Sequence, residues 1–198
     1  MPTDLPNLLT ISRIAAIPLI VLLVAVRTPA GNLAASLLFA VAAVTDWLDG
    51  KLARSRRQTS DLGRMLDPIA DKLLVGATLM LLAGFGRLGG WGIYPAIVIM
   101  LREILVSGLR EYLAGVRVGL PVTRLAKWKT AAQMVALGLL LAGTSGAAAA
   151  GLGVVPLASL GALMLWAAAA LTIVTGWDYL TAGLRHVGTP AAAGRPPP

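Results

Sequence analysis

The sequence predicts an all-α integral membrane protein, a bundle of six transmembrane helices, and three observations carry that prediction. Hydrophobic residues make up 57% of the 198 positions and charged residues 13%, with a mean hydropathy of +0.79; soluble globular chains carry about a quarter charged residues. Apolar runs near 8–26, 33–53, 66–85, 91–114, 125–145 and 153–183 each have about the length, ~20 residues, that crosses a bilayer. Gly, Pro or charge breaks each run from the next, and connections this short imply one bundle over residues 1–187, followed by an Ala-, Gly- and Pro-rich tail at 188–198 expected to be disordered.

The first run carries Asp4 ahead of it and Pro18 within it, and its only nearby positive charge is Arg13, so it reads as a retained span and not as a cleaved signal peptide. The second ends in Asp46 and Asp49, and the third begins with Asp67 and Asp71. The fourth opens on Trp91 and Tyr94, which suit an interfacial anchor, as do Trp177 and Tyr179 near the end of the sixth. The fifth and sixth are divided by the uncharged small-residue stretch 146–153, read as a tight turn at a membrane face. Gly and Ala within the runs fit close approach of helices in a membrane.

Charge fixes the expected orientation. Fifteen of the seventeen Lys and Arg residues belong to one side or approach it, and only Arg27 and Arg87 mark the other. The positive-inside rule then puts both termini and the loops after spans two and four in the cytoplasm. The net charge of +8 flanks apolar segments and forms no long basic stripe, which points to anionic headgroups or phosphorylated substrates and away from nucleic acid. There is no cysteine, and the single histidine, His186, sits near the tail, so disulfides and zinc chemistry drop out.

Five of the nine acidic residues fall in TDWLDGKLARSRRQTSDLGRMLDPIADK, at residues 45–72, and four of them, Asp46, Asp49, Asp67 and Asp71, lie at or near the ends of apolar runs. Asp46 and Asp49 are i and i+3 and share a face of span two; Asp67 and Asp71 are i and i+4 and share a face of span three. The short connection predicts antiparallel neighbours whose carboxylates converge at the cytoplasmic boundary. Ionised together they repel, and a divalent cation relieves the repulsion while keeping all four as ligands. Oxygen-only ligation points to Mg²⁺ or Mn²⁺, with room for two ions. Between the pairs, Gly50, Ala53 and Gly63 allow a flat group to approach the backbone, Arg54 suits phosphate, and Thr59 and Ser60 offer hydroxyl donors.

Read as Asp46-x2-Asp49-Gly50-x2-Ala53-Arg54-x8-Gly63-x3-Asp67-x3-Asp71, the stretch matches the signature of the CDP-alcohol phosphotransferases at every fixed position. PNLLTISR at 6–13, LREILVSGLREYLAG at 101–115 and KWKTAAQMVAL at 127–137 resemble that family's bacterial phosphatidylglycerophosphate synthase branch, and the likeness spans roughly residues 6–184. The resemblance implies the six-helix CDP-alcohol phosphotransferase fold, a homodimer in the bacterial inner membrane, and an active site open to the cytoplasm. It implies transfer of a phosphatidyl group from CDP-diacylglycerol to sn-glycerol 3-phosphate with release of CMP. Carried onto matching positions, Asp46, Asp49 and Asp67 hold metal, and Asp71 completes the shell and acts as base. Gly50, Ala53, Arg54 and Gly63 accommodate the cytidine diphosphate, and Asn7, Thr10 and Arg13 fall in the family's entry segment, near nucleotide or lipid diphosphate.

The acceptor's own phosphate needs cations outside the metal site. Arg110, Lys127 and Lys129 are the first candidates, with Arg102, Arg117 and Arg124 beside them, and Glu103 and Glu111 are expected to pair with neighbouring basic residues. Two alternatives remain open at this level: a related transferase using another alcohol such as inositol phosphate, and a divalent-cation transporter. Transporters ordinarily place their site at the bilayer midplane between repeated halves; here the acids cluster at one face and no repeat is evident.

Overall fold

Six helices in chain order carry the fold: α1 (Leu5–Ala25), α2 (Pro29–Arg56), α3 (Asp61–Gly84), α4 (Gly89–Gly115), α5 (Arg124–Ala149) and α6 (Leu157–Val187). The computed structural model describes residues 5–56, 61–115 and 123–187, with side chains described for 7–46, 63, 65–115 and 123–183. The tail predicted at 188–198 lies outside these residues. Among the described residues five helices are long and apolar enough to span a membrane, which makes this a multi-pass membrane protein. The exception is α3, whose early turns carry the charged residues Asp67, Asp71 and Lys72.

Helix ends follow local chemistry more closely than hydropathy. Thr28 caps α2, its Oγ1 accepting from Gly31 N–H at 3.0 Å, and Pro29 occupies the first helical position, where its missing N–H costs nothing. α3 closes when Gly86 turns to φ +68°: Arg87 N–H reaches Leu82 C=O at 2.8 Å and Gly86 N–H reaches Ala83 C=O at 3.0 Å. The same closure ends α5, with Gly151 at φ +73° and Leu152 N–H donating to Ala147 C=O at 2.8 Å. This corrects the expected turn at 146–153: residues 146–149 remain helical, because alanine favours the helix and Gly146 packs against the backbone of Asn32 and Leu33. The turn falls at 150–156, and α6 begins after Pro156.

α5 is the central post, packing against α2, α3 and α6, while α4 leans on α6 and α1 packs against both α2 and α3. Phe39, Leu74, Leu82, Ile99, Leu137, Leu141 and Leu165 are buried in the common core. Large apolar side chains such as Leu22, Leu37, Val41, Met80, Leu101 and Leu163 face outward, as lipid contact requires. Trp91, Tyr94 and Trp177 are exposed as anchors should be. Tyr179 is not: it is buried, with the Arg102 guanidinium 5.5 Å from its ring centroid, so it serves a cation and not an interface.

One expectation about packing is also corrected. Among the described residues α2 and α3 are not a principal packing pair; α1 packs against both. A short connection lets two helices neighbour each other, and here the polar face of α1 reaches both, through Arg13 to Asp46 and Thr10 to Asp67.

The end of the bundle away from the carboxylates is tied by Arg87. Its Nη2 donates to Asn32 Oδ1 at 2.5 Å and its Nη1 to Leu141 C=O at 2.8 Å, while Asn32 Nδ2 donates to Ser145 Oγ at 2.7 Å. α5 breaks at Gly143 (φ +57°, ψ −166°), a backbone shape that glycine tolerates, and Arg87 satisfies a carbonyl of the interrupted turn. Burial and the neighbouring charge of Arg27 lower the Arg87 pKa from its ordinary value.

Candidate active site

The site starts from α1. Asn7, Thr10 and Arg13 recur every third residue, so they lie along one face of an otherwise apolar helix, and all three are buried. That face meets the carboxylates of two other helices. Arg13 Nη1 lies 2.5 Å from Asp46 Oδ1 near the end of α2, and Thr10 Oγ1 donates to Asp67 Oδ1 at 2.5 Å near the start of α3. α1 thus bridges the two halves of the acidic motif with one guanidinium and one hydroxyl.

The third described carboxylate, Asp71, sits one turn farther along α3. Asp46 and Asp67 act on each other electrostatically, and so do Asp46 and Asp71, with Arg13, Lys129 and Glu103 within range of Asp71. Of the four carboxylates expected to converge, these three come together, with α1 reaching two of them; the side chain of Asp49 lies outside the described residues. A pocket of about 20 Å³ opens beside Asp71, lined also by Lys72, Val75, Met100, Glu103 and Ile104, so α3 and α4 each present a carboxylate to it.

The predicted acceptor cations divide into two groups. Lys129 is buried and ion-paired with Glu103, and Arg102 is half-buried, with Nη1 3.7 Å from the same Glu103 oxygen and Nη2 donating to Thr175 Oγ1 at 3.2 Å. Arg110, Arg124 and Lys127 are exposed on α4 and on the first turn of α5. Gly63 is buried at the start of α3. Arg117, Thr59 and Ser60 lie outside the described residues, as do the side chains of Asp49, Ala53 and Arg54 and the surroundings of Gly50.

The donor chemistry suits a hard divalent cation: the converging groups are carboxylates and the chain has no thiolate. Among the described residues no three acidic or histidine side chains already stand close enough to enclose an ion. Asp46 and Asp67 are instead held by Arg13 and Thr10, each of which engages one carboxylate oxygen.

A sequence model of the CDP-alcohol phosphatidyltransferases matches residues 3–174, which takes in α1 to α5 and the whole acidic motif. The chain belongs to the CDP-alcohol phosphatidyltransferase family. Members of this family generally use divalent metal ions, in keeping with the donor set. Similar proteins include the CDP-diacylglycerol–glycerol-3-phosphate 3-phosphatidyltransferase of Rickettsia bellii, 45% identical over 90% of this chain and 94% of the relative. The protein of the same name from Cereibacter sphaeroides is 40% identical over 94% of this chain and 98% of its own length. A chloroplastic/mitochondrial counterpart from Arabidopsis thaliana is 46% identical over 70% of this chain and 50% of the relative. Membership of a phosphatidyltransferase family sets aside the cation-transporter alternative.

Sequence reasoning treated α1 as an entry segment and missed its part as the brace between α2 and α3. The signal was there, in the three-residue recurrence of Asn7, Thr10 and Arg13. Glu103 was read only as a partner for basic neighbours, and its place in the Asp71 pocket had no signal in spacing, because it depends on how α3 meets α4.

Proposed function

We propose that this protein transfers the phosphatidyl group of CDP-diacylglycerol to sn-glycerol 3-phosphate, giving phosphatidylglycerol phosphate and CMP. The observation that carries the reading is the meeting of Asp46, Asp67 and Asp71 at one end of the bundle, where Arg13 and Thr10 hold the first two and leave Asp71 at a pocket. Relatives of matching length bear the name of this activity.

In this reading Asp46, Asp49, Asp67 and Asp71 hold two divalent ions, Mg²⁺ or Mn²⁺, which when bound supply positive charge to the diphosphate and the departing CMP. Gly50, Ala53, Arg54 and Gly63 take the cytidine diphosphate, with Thr59, Ser60, Asn7, Thr10 and Arg13 around it. Asp71 accepts the proton of the acceptor hydroxyl. The hydroxyl oxygen forms a bond to the phosphatidyl phosphorus, and the bond from that phosphorus to CMP breaks, with CMP keeping the electron pair. The exposed cations Arg110, Lys127 and Arg124, with Arg117, draw in the acceptor's phosphate, and Lys129 and Arg102 receive it. The protein works as a homodimer in the bacterial inner membrane with the site and both termini in the cytoplasm, a reading supported by the crowding of basic residues on that side.

The test is CMP release by purified protein supplied with CDP-diacylglycerol, Mg²⁺ and a panel of acceptors. Glycerol 3-phosphate is expected to support turnover and inositol phosphate is not. Asp71→Asn is expected to lower kcat by about 10²–10⁴-fold, the usual contribution of a positioned base, with nucleotide binding retained. Turnover with inositol phosphate alone overturns the acceptor assignment, and normal turnover in Asp71→Asn removes that residue as base.

A further inference from the structure

Lys129 is a buried ammonium on α5, and its partner is on α4, a helix that is not among its principal packing neighbours. The two helices each pack against α6. Glu103 therefore spans a gap that apolar packing leaves open. Its Oε1 takes the Lys129 ammonium and stands 3.7 Å from Arg102 Nη1, while the same side chain lines the pocket of Asp71.

Arg102 is fixed from the other side. Thr175 Oγ1 accepts from its Nη2, the Tyr179 ring lies under its guanidinium, and its stem crosses Gly176, where a Cβ would come within 3.0 Å of Arg102 Cγ. An ordinary surface ion pair has no such seating. Two cations face the one Glu103 oxygen beside Asp71, and they carry more donors than it takes up: Arg102 Nε is buried with no hydrogen-bond partner among the described residues, a donor that an anion can satisfy.

We propose that Glu103 is a positioning residue for the acceptor: it draws Lys129 and Arg102, from different helices, to one carboxylate oxygen at the edge of the Asp71 pocket, so that both are presented to the phosphate of a phosphorylated alcohol. The inference rests on the proposed transfer to a phosphorylated acceptor and adds how the cations are set. An ammonium has three donors, so Lys129 keeps its bond to Glu103 and still turns others to the phosphate. Seated there, the phosphate brings its alcohol to the pocket where Asp71 waits. A neutral alcohol gains nothing from the arrangement, so the trio selects for charge.

The test is steady-state kinetics of the full-length protein in defined detergent–lipid micelles. Glu103→Gln is expected to raise KM for glycerol 3-phosphate about tenfold or more, the effect of losing a charge-assisted hydrogen bond, with kcat and KM for CDP-diacylglycerol within about twofold. Lys129→Gln is expected to raise the same KM, and the double variant E103Q/K129Q to raise it by less than the product of the two single effects, because Glu103 acts in part through the lysine. The double variant leaves neither member of the pair unpartnered, so it answers the question even where Glu103→Gln fails to fold. An unchanged or lowered KM in Glu103→Gln, an equal fall in kcat against both substrates, or additive effects in the double variant would overturn the inference. Wild-type protein that turns over only uncharged acceptors overturns the proposed function and this inference with it; normal wild-type turnover of glycerol 3-phosphate with an unmoved variant KM overturns the inference alone.

Discussion

Replacing Arg13 by Met removes a positive charge and keeps most of the side-chain bulk. The arginine side chain is 1% exposed and its partner Asp46 is 39% exposed, so the pair is neither a surface contact nor a sealed one. Exposed pairs are worth about 0–1 kcal/mol, and breaking a buried pair costs about 3–5 kcal/mol. The exposure of Asp46 places Arg13→Met between these limits, at about 2 kcal/mol, or about 4–8 °C in Tm for a chain of this size. Without the guanidinium, Asp46 faces Asp67 and Asp71 and loses its described countercharge. A divalent cation supplies the missing charge, so the penalty should be large in EDTA and shrink at saturating Mg²⁺. The variant should also reach half-saturation at a lower Mg²⁺ concentration, since one competing positive charge has gone. Thermal unfolding of the purified protein, followed by tryptophan fluorescence across a Mg²⁺ titration, measures both quantities. A wild-type Tm in EDTA refutes the role of Arg13 as countercharge. A penalty that Mg²⁺ leaves untouched refutes the metal site.

Two further outcomes follow from the packing. A Cβ on Gly161 would lie 2.9 Å from Leu140 Cγ and 3.1 Å from Leu140 N, a backbone atom that cannot yield, so Gly161→Ala should lower Tm at an overpacking cost of about 1–3 kcal/mol. Gly84→Ala meets nothing within 4 Å and should leave Tm unchanged or slightly raised, so equal shifts in the two variants refute the close approach of α5 and α6. Arg87→Met strips donors from Asn32 and from the Leu141 carbonyl and should cost about 1–3 kcal/mol. Because that cluster is at the end away from the carboxylates, both KM values should stay at wild type, and a shift in either refutes the separation.

Much of this was legible in the sequence. Hydropathy located all six helices, because a chain that must satisfy its backbone inside a bilayer writes each span as an uninterrupted apolar run. Helix ends were less legible, since hydropathy reports where the membrane stops: α3 begins at Asp61, in polar sequence, and α2 begins at Pro29, where the Thr28 cap was the better guide. Within the site, spacing is a property of one helix at a time: it put Asp67 and Asp71 on α3 together, while the side chain of Asp49, expected beside Asp46, lies outside the described residues. What spacing does not encode is which helix stands beside which. The packing of α1 against both α2 and α3, the Glu103 bridge from α4 to α5 and the seating of Arg102 on Tyr179 each depend on three-dimensional choices among several short-loop arrangements. The break at Gly143 was hidden for another reason: one glycine among many small residues carries no mark of the left-handed turn it makes.

The brace supplied by α1 also bears on assembly. Chains enter the membrane from their N-terminal end, and early segments settle before later ones are made. Arg13 and Thr10 are therefore in place before Asp46 and Asp67 arrive. Each aspartate, costly to leave alone at the edge of a bilayer, meets a waiting partner as its helix is laid down. The first helix acts in this way as a template for insertion, and the order in which the residues are written becomes part of how Asp46 and Asp67 can be gathered without repelling each other on the way.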